Sequence, residues 1–194
     1  EMCIRDSASL ESDINAYKSV YDQYEQQQQN VQSQIDKQVE DLRRQEEANK
    51  KNDPSYDAGK DNGATGSMMW PCPSCHTITS EFGWRYHPIY HTQKYHSGVD
   101  IGASYGASIV AADGGTVITA GAVSGYGNCV VINHGNGITT LYGHMSSIAV
   151  SSGQKVSKGQ TIGYVGSTGN STGPHLHWEV TVNGVRQNPL NYAR

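Results

Sequence analysis

Residues 173–179 read GPHLHWE, and this short stretch decides the fold class and the chemistry of the chain. Polar and apolar side chains alternate through it, which is the pattern of a β-strand with one buried face. On such a strand, His175 and His177 project to the same side. The sequence therefore predicts a strand that presents two imidazoles to a functional site and its apolar side chains to a core.

A second stretch, residues 96–100 (HSGVD), supplies two more metal-binding side chains. In an extended segment, His96 and Asp100 also share one face. Zinc accepts imidazole nitrogen and carboxylate oxygen, and a catalytic zinc site has about three protein ligands with a position left open for water. Four candidates for three places leave one imidazole for proton transfer, to which histidine is suited. His144, in the stretch LYGHM, offers another.

These two stretches belong to a series of motifs between residues 79 and 180. They are, in order, TSEFGWRYHPI (79–89), HSGVDIG (96–102), VAADGGTV (110–117), LYGHM (141–145) and GSTGNSTGPHLHWEV (166–180). In order and content they resemble the lysostaphin/LytM-type zinc metalloendopeptidases, which cut peptides in bacterial peptidoglycan. The resemblance begins at Trp70. It implies a mainly β catalytic domain of antiparallel sheets with a groove, similar to a duplicated hybrid motif.

The resemblance also implies which residues hold the metal. In that family one zinc ion is held by the histidine and aspartate of HxxxD and by the second histidine of HxH, which here means His96, Asp100 and His177. From the residues alone a second ligand set stays open. In it, His96, His175 and His177 bind the metal, and Asp100 orients a ligand.

Three residues are candidates for the reaction itself. By resemblance, His175 and His144 serve catalysis, and Tyr90, six residues before the first ligand, helps near the oxyanion. Histidines without such a context are more often structural or surface residues than ligands. The remaining four are therefore left out of the predicted site: His76, His87, His91 and His134.

The implied activity is hydrolysis of peptide bonds in peptidoglycan cross-links, with the substrate extended along a groove of the sheet. Residues 166–173 are expected to border this groove, and Asn170 and Ser171 to line it. They do not form a phosphate-binding loop, because no lysine follows and the segment leads into a strand. An alternative is a non-catalytic protein that binds the cell wall and activates a murein amidase, since such proteins combine a coiled coil with this type of domain. The complete ligand set favours catalysis.

Charge and composition divide the chain near Gly66. Up to this residue there are eight basic and fourteen acidic side chains, and after it six and four. All eight histidines and nineteen of the 22 glycines follow it. The resulting net charges of about −6 and about +2 do not suggest the clustered basic face that nucleic-acid binding needs, so no nucleic-acid partner is expected.

Residues 8–50 are predicted to form a helical coiled-coil stalk. Steps of four and three from Leu10 to Leu42 meet an apolar or aromatic side chain at eight of ten positions, which indicates self-association or a divisome-type partner. A single amphipathic helix packed on its own domain fits the same pattern, and the sequence leaves both open. Residues 51–67 are polar and glycine-containing, so they are expected to form a flexible linker before the domain at 68–194.

Within that domain, β-prone runs alternate with glycine turns. The predicted strands are 108–112, 115–120, 129–133, 138–142, 161–165 and 175–182. Asn136-Gly137 and Asn183-Gly184 are dipeptides that favour tight hairpin turns with positive φ. The sequence thus predicts a mostly antiparallel sheet.

The first seven residues, EMCIRDS, resemble a translated sequencing adapter. We interpret residues 1–7 as a sequencing artefact and expect the true start, with any export signal, to lie upstream. No apolar run is long enough to span a membrane. A location outside the cell or in the cell envelope is implied by the substrate of the resembled family.

The cysteines allow several interpretations. Cys72 to His76 satisfy the C-x-x-C-H pattern of covalent haem attachment, but they lie inside the segment that resembles the peptidase. A disulfide between Cys72 and Cys75 is expected in an oxidising exterior, and free thiols are expected if the organism is anaerobic. A structural zinc site would need both of these thiols together with Cys129 and His76.

Overall fold

A computed structural model describes residues 2–86 and 93–193. A long N-terminal helix precedes a mainly β domain. The helices are α1 (Met2–Asn52), α2 (Ala58–Asn62) and a 3-10 turn at Pro189–Asn191. The strands are β1 (Thr77–Ser80), β2 (Gly83–Tyr86), β3 (Gln93–His96), β4 (Val99–Gly102), β5 (Ser108–Val110), β6 (Gly115–Val123), β7 (Gly127–Gly135), β8 (Ile138–Ile148), β9 (Lys155–Val156), β10 (Thr161–Val165), β11 (His175–Val182) and β12 (Val185–Gln187).

Ten of the strands in the described residues form one sheet. Its main path runs β1-β4-β11-β8-β7-β6-β9; β10 joins β8 to β5, and β12 pairs with β11. The strands β2 and β3 form a separate two-stranded sheet. The strand pairs are antiparallel, which confirms the predicted mainly β fold with antiparallel sheets.

Two Asn-Gly dipeptides form the turns of two β-hairpins. Asn136 and Gly137 connect β7 to β8 with φ of 54° and 74°, and Asn183 and Gly184 connect β11 to β12 with φ of 50° and 77°. Both dipeptides therefore adopt the positive φ values expected for tight hairpin turns. The strand β8 is longer than its predicted span of 138–142, because it continues to Ile148 and pairs with β10 after leaving β11.

Alternation along β11 separates the core from the functional face. Leu176, Trp178 and Val180 are fully buried in the main hydrophobic cluster, together with Ile101 of β4 and Tyr142 of β8. The residues that alternate with them, His175, His177 and Glu179, point to the other side. The core thus fixes the strand that carries the predicted site.

The C-terminal part of α1 packs on the face of the sheet that carries His177, because Leu141 lies directly opposite Glu179, two residues further along β11. Ile35 and Val39 are buried against Val131 and Leu141. Ile35 belongs to the predicted coiled-coil seam, whereas Val39 does not. This contact matches the second interpretation of the helix, in which it packs on its own domain. The coiled coil itself stays a prediction.

The segment predicted to be a flexible linker is held on the domain. Asp57 caps α2, and Ala58 and Gly59 are buried. Further along, the Asp113 carboxylate accepts hydrogen bonds from the backbone N–H groups of Thr65 and Gly66 at 2.9 Å. Composition alone did not reveal these contacts, because they depend on capping and on one distant carboxylate. The domain boundaries themselves stay predictions.

No helix in the described part of the chain combines the length and the apolar character needed to cross a bilayer.

Candidate metal centre and active site

Three neighbouring strands bring the predicted site residues together. His177 on β11 lies directly opposite Asp100 on β4 and opposite Gly143 on β8. Directly opposed side chains of an antiparallel pair are in contact distance, so the register alone places His177 beside Asp100. The glycine on the other side leaves room for the imidazole.

His96 reaches the same point from a different sheet. It ends β3, and the chain bends at Ser97 and Gly98 before β4 carries Asp100. The predicted single extended segment is therefore wrong, although both side chains still meet. The bend requires glycine, since a Cβ on Gly98 would lie 2.3 Å from the carbonyl oxygen of Trp178.

His96, Asp100 and His177 form a compact group of donor atoms. Each offers one ligand atom, and these atoms all lie within 4.8 Å of one another. Asp100 Oδ1 is 2.8 Å from His177 Nδ1 and 3.2 Å from His96 Nε2. His175 Nε2 is farther from the same oxygen, at 3.7 Å. Two imidazole nitrogens and one carboxylate oxygen match the donor types that zinc prefers.

The opposite nitrogen of each ring has its own hydrogen-bond partner. His96 Nδ1 donates to the carbonyl of Glu81 at 2.8 Å, and His177 Nε2 donates to Glu179 Oε1 at 3.0 Å. These bonds leave His96 Nε2 and His177 Nδ1, the nitrogens that face Asp100, as the atoms available to a cation. Metal-binding histidines typically have such a carbonyl or carboxylate partner, so the residues fit a bound cation.

Glu179 is a site residue that sequence reasoning did not single out. It is 2% exposed and, besides His177, accepts hydrogen bonds from Arg186 Nε at 2.9 Å, from the Tyr126 hydroxyl at 2.8 Å and from Ser97 Oγ. The two-residue spacing along β11 was an available signal, because it places Glu179 on the face of both histidines.

Electrostatics favour positive charge at this point. Burial opposes the ionisation of Asp100, but hydrogen bonds from His177 and His96 hold the pKa of its carboxyl well below the usual range. Burial likewise opposes a charged His177, yet Asp100 and Glu179 together raise its pKa to about 9. A cation bound at Nδ1 would take the place of that proton.

His144 lies at a β-bulge in β8. The register with β7 shifts between Val130, paired with Tyr142, and Asn128, paired with Met145. At this shift His144 has φ of 60°, a conformation that L-residues rarely adopt and that is found preferentially at functional sites. The bulge turns the imidazole towards the other histidines, and its ring centre lies 4.6 Å from that of His175.

The loop at residues 166–173 orients His144 and His175, the two accessory histidines beside the candidate metal-binding group. Its Thr168 carbonyl accepts a hydrogen bond from His144 Nδ1 at 2.7 Å, and its Gly173 carbonyl accepts one from His175 Nδ1 at 2.8 Å. Ser171 Oγ lies 3.2 Å from the same nitrogen of His175. Each ring is therefore held to the loop through Nδ1, which leaves Nε2 for other contacts. Burial, followed by the neighbouring His177, lowers the pKa of His144 to about 4, which keeps it neutral at physiological pH.

Tyr90, His87 and His91 lie outside the described residues. His76 stacks on Trp70 with 5.6 Å between ring centres. His134 is buried and bonded through both nitrogens, to Gly114 and Thr140, so its role is structural.

Comparison with known proteins relates the chain to a family of peptidases. Residues 94–189 match the model of peptidase family M23. Over 116 residues the chain is 47% identical to the DD-carboxypeptidase/endopeptidase Mpg of Neisseria meningitidis serogroup B, covering 60% of this chain and 27% of that protein. Over 124 residues it is 36% identical to the murein hydrolase activator NlpD of Salmonella dublin, covering 63% and 31%. The chain thus spans only about a third or less of these relatives.

Solved structures agree with these matches. A zinc-containing peptidase from Vibrio cholerae aligns with a TM-score of 0.59 and 35% identity, covering 62% of this chain and 38% of that one. The catalytic domain of lysostaphin from Staphylococcus simulans aligns with a TM-score of 0.55 and 32% identity, covering 60% of this chain and 91% of that domain.

Proposed function

Because the chain belongs to peptidase family M23, we propose that it is a zinc metalloendopeptidase that hydrolyses peptide bonds in the cross-links of bacterial peptidoglycan. One observation carries this proposal. Three side chains that could hold a metal have ligand atoms within 4.8 Å of one another, and two further imidazoles, each held through Nδ1 by a loop carbonyl, lie beside them. A site that bound metal only for structure would not need the strained His144.

His96 Nε2, Asp100 Oδ1 and His177 Nδ1 are the atoms that would hold one zinc ion. Bound zinc supplies Lewis-acid chemistry, in which a carbonyl is polarised and the pKa of a water is lowered. The set with Asp100 as a ligand is preferred to the three-histidine set, because Asp100 Oδ1 is the atom that contacts both His96 and His177.

His144 and His175 are the groups that would move protons. Each ring donates through Nδ1 to a loop carbonyl, so Nε2 can accept a proton from the attacking water or hydrogen-bond the developing oxyanion once protonated. The low pKa of His144 keeps its Nε2 unprotonated in the resting protein. A proton taken by either ring can then pass to the leaving amine. Tyr90 is proposed to donate a hydrogen bond near the oxyanion.

The proposed setting is the cell envelope or the exterior of a bacterium. The support is the name of the relative Mpg, a carboxypeptidase/endopeptidase, and that of NlpD, a murein hydrolase activator. The partner is therefore the peptide part of peptidoglycan, and α1 would add self-association or a divisome-type partner. Nucleic acid is not proposed as a partner.

A second candidate function rests on the similarity to NlpD. In that case the domain would bind the cell wall and activate a murein amidase without cutting peptides itself. The complete set of ligand and accessory histidines favours catalysis over this role, since an activator has no use for a base beside a metal.

Two variants separate the metal from the proton-transfer groups. His177→Ala removes a ligand, so we expect loss of both zinc and peptide cleavage. His144→Asn removes the imidazole but suits the positive φ, which asparagine tolerates. It should keep zinc and lose cleavage by about 10²- to 10⁴-fold, the contribution of one general acid–base group.

Zinc content by elemental analysis and peptide release from peptidoglycan are measured on the same samples. Full cleavage by the His177→Ala variant would refute the ligand assignment, and full cleavage by His144→Asn would refute the role of His144.

A further inference from the structure

Residues 68–76 form a strap behind the metal-bearing strand. The backbone N–H of Met69 donates to the Ala112 carbonyl at 2.8 Å, and the N–H of Val110 donates to the Pro71 carbonyl at 2.9 Å. The ring of Trp70 packs edge-on against Trp178, with 6.0 Å between ring centres. The strap therefore covers the core face of β11, whose opposite face carries His177.

The strap contains a tight turn with a cysteine at each end. The backbone N–H of Cys75 donates to the Cys72 carbonyl at 3.0 Å, and the Trp70 indole donates to the Cys75 carbonyl at 2.6 Å. A turn closed by such a bond brings its first and fourth Cα atoms to less than about 7 Å. A disulfide needs about 4.4 to 6.8 Å between Cα atoms, so the backbone is already in the required range.

We propose that Cys72 and Cys75 form an intrachain disulfide that fastens this strap behind β11. Cys72 is fully buried and Cys75 is half-buried, so Cys75 is the thiol that an external oxidant can reach. With a small disulfide as oxidant, the Cys75 thiolate attacks one sulfur and releases one thiol. Cys72 then attacks the Cys75 sulfur and releases the second. The protein loses two electrons and two protons, and the oxidant gains them.

This disulfide is structural rather than catalytic. In redox-active C-x-x-C sites the thiolate is stabilised, which makes the disulfide easy to reduce. Here burial, followed by the neighbouring Cys75, raises the pKa of the Cys72 thiol to about 11. The Cys72 thiolate is therefore not stabilised as it is in a redox-active site. Cys129 is a separate buried thiol on β7, and burial raises its pKa to about 12.

Thiol counting tests the proposal directly. The whole protein is equilibrated with oxidised and reduced glutathione at a poise of about −200 mV, as in oxidising compartments, then denatured and alkylated. The sequence has four cysteines, so we expect two labels, on Cys3 and Cys129, and a peptide linked through Cys72 and Cys75. Four labels, or a disulfide between any other pair, would overturn the proposal.

Thermal unfolding tests whether the bond fastens the strap. A four-residue loop predicts that reduction lowers Tm by about 4 to 7 °C. The Cys75→Ser variant, changed at the half-buried position, should melt like the reduced wild type and not respond to the reductant. An unchanged wild-type Tm on reduction, or an equal response of Cys75→Ser, would contradict a fastening role. Neither measurement depends on zinc or on cleavage.

Discussion

Replacement of Glu179 by glutamine tests how the site holds His177, a proposed metal ligand. Glu179 Oε1 accepts the hydrogen bond from His177 Nε2 at 3.0 Å, so Nδ1 is the nitrogen that would bind the proposed metal. Glutamine has nearly the same shape but no charge, and one of its two terminal atoms is a donor. That donor must face His177 or Arg186, both of which also donate.

The expected effect can be estimated for binding and for stability. Loss of the group that orients a metal-binding histidine lowers metal affinity by about 10- to 100-fold, or about 1.4 to 2.7 kcal/mol. Stability should also fall, by about 1 to 3 kcal/mol, because a buried donor loses its charged acceptor. Burial opposes ionisation of Glu179, but His177 and Arg186 lower its pKa to about 2, so the carboxylate is charged at neutral pH.

Zinc affinity is measured by competition with a chelating indicator, and stability by urea unfolding of the metal-free protein. The control is Ser97→Ala, which removes one neutral donor from Glu179 and leaves the bond to His177. We expect its zinc affinity to stay within about threefold of wild type, a change of roughly 0.6 kcal/mol. An unchanged zinc affinity in Glu179→Gln would refute the claim that Glu179 orients His177.

Two further predictions concern the attachment of the N-terminal segments. Burial opposes ionisation of Asp113, but hydrogen bonds from the Thr65 and Gly66 backbones lower its pKa, so the ionised carboxylate stabilises the fold. This stabilisation is fully present above the unfolded-state pKa of about 3.9 and is lost as the pH falls through the folded-state pKa. Asp113→Asn should therefore reduce the free energy of unfolding at pH 7 by about 1.5 to 3 kcal/mol and make stability fall less steeply in acid. Urea unfolding at several pH values measures both effects, and a loss of stability in acid as steep as that of wild type would contradict the prediction. Val39→Asp places a charge in the contact between α1 and the sheet, so we expect α1 to detach from the sheet. Limited proteolysis of the helix should then accelerate at least about tenfold, equivalent to about 1.4 kcal/mol. The control is Val20→Asp, at a position that is 50% exposed, and this variant should be digested like wild type. Equal digestion of both variants would refute the packing of α1.

The sequence predicted the parts of the fold that depend on local pattern. Alternation in residues 175–182 predicted β11 with its bounds, and the Asn-Gly dipeptides predicted the turns after β7 and β11. These features follow from side-chain period and from allowed φ values, which the local sequence contains. The pairing of β11 with β4 then places His177 beside Asp100.

The parts that could not be predicted depend on contacts between distant segments. The Thr168 and Gly173 carbonyls orient His144 and His175, and a backbone acceptor leaves no mark in the sequence. The bulge at His144 lies where β8 changes its partner from β11 to β10, and both partners are distant in sequence. The bend at Gly98 depends on the close approach of Trp178, which lies 80 residues away.

Release of peptides from purified peptidoglycan tests the proposed function most directly. The whole protein is incubated with cell walls of several cross-bridge types, with chelator and after zinc is restored, and the soluble products are identified by mass. We expect zinc-dependent release of fragments with new amino and carboxyl ends inside the cross-link. If the protein binds zinc but cuts no peptide bond in any wall, the endopeptidase proposal is wrong and the amidase-activator role takes its place.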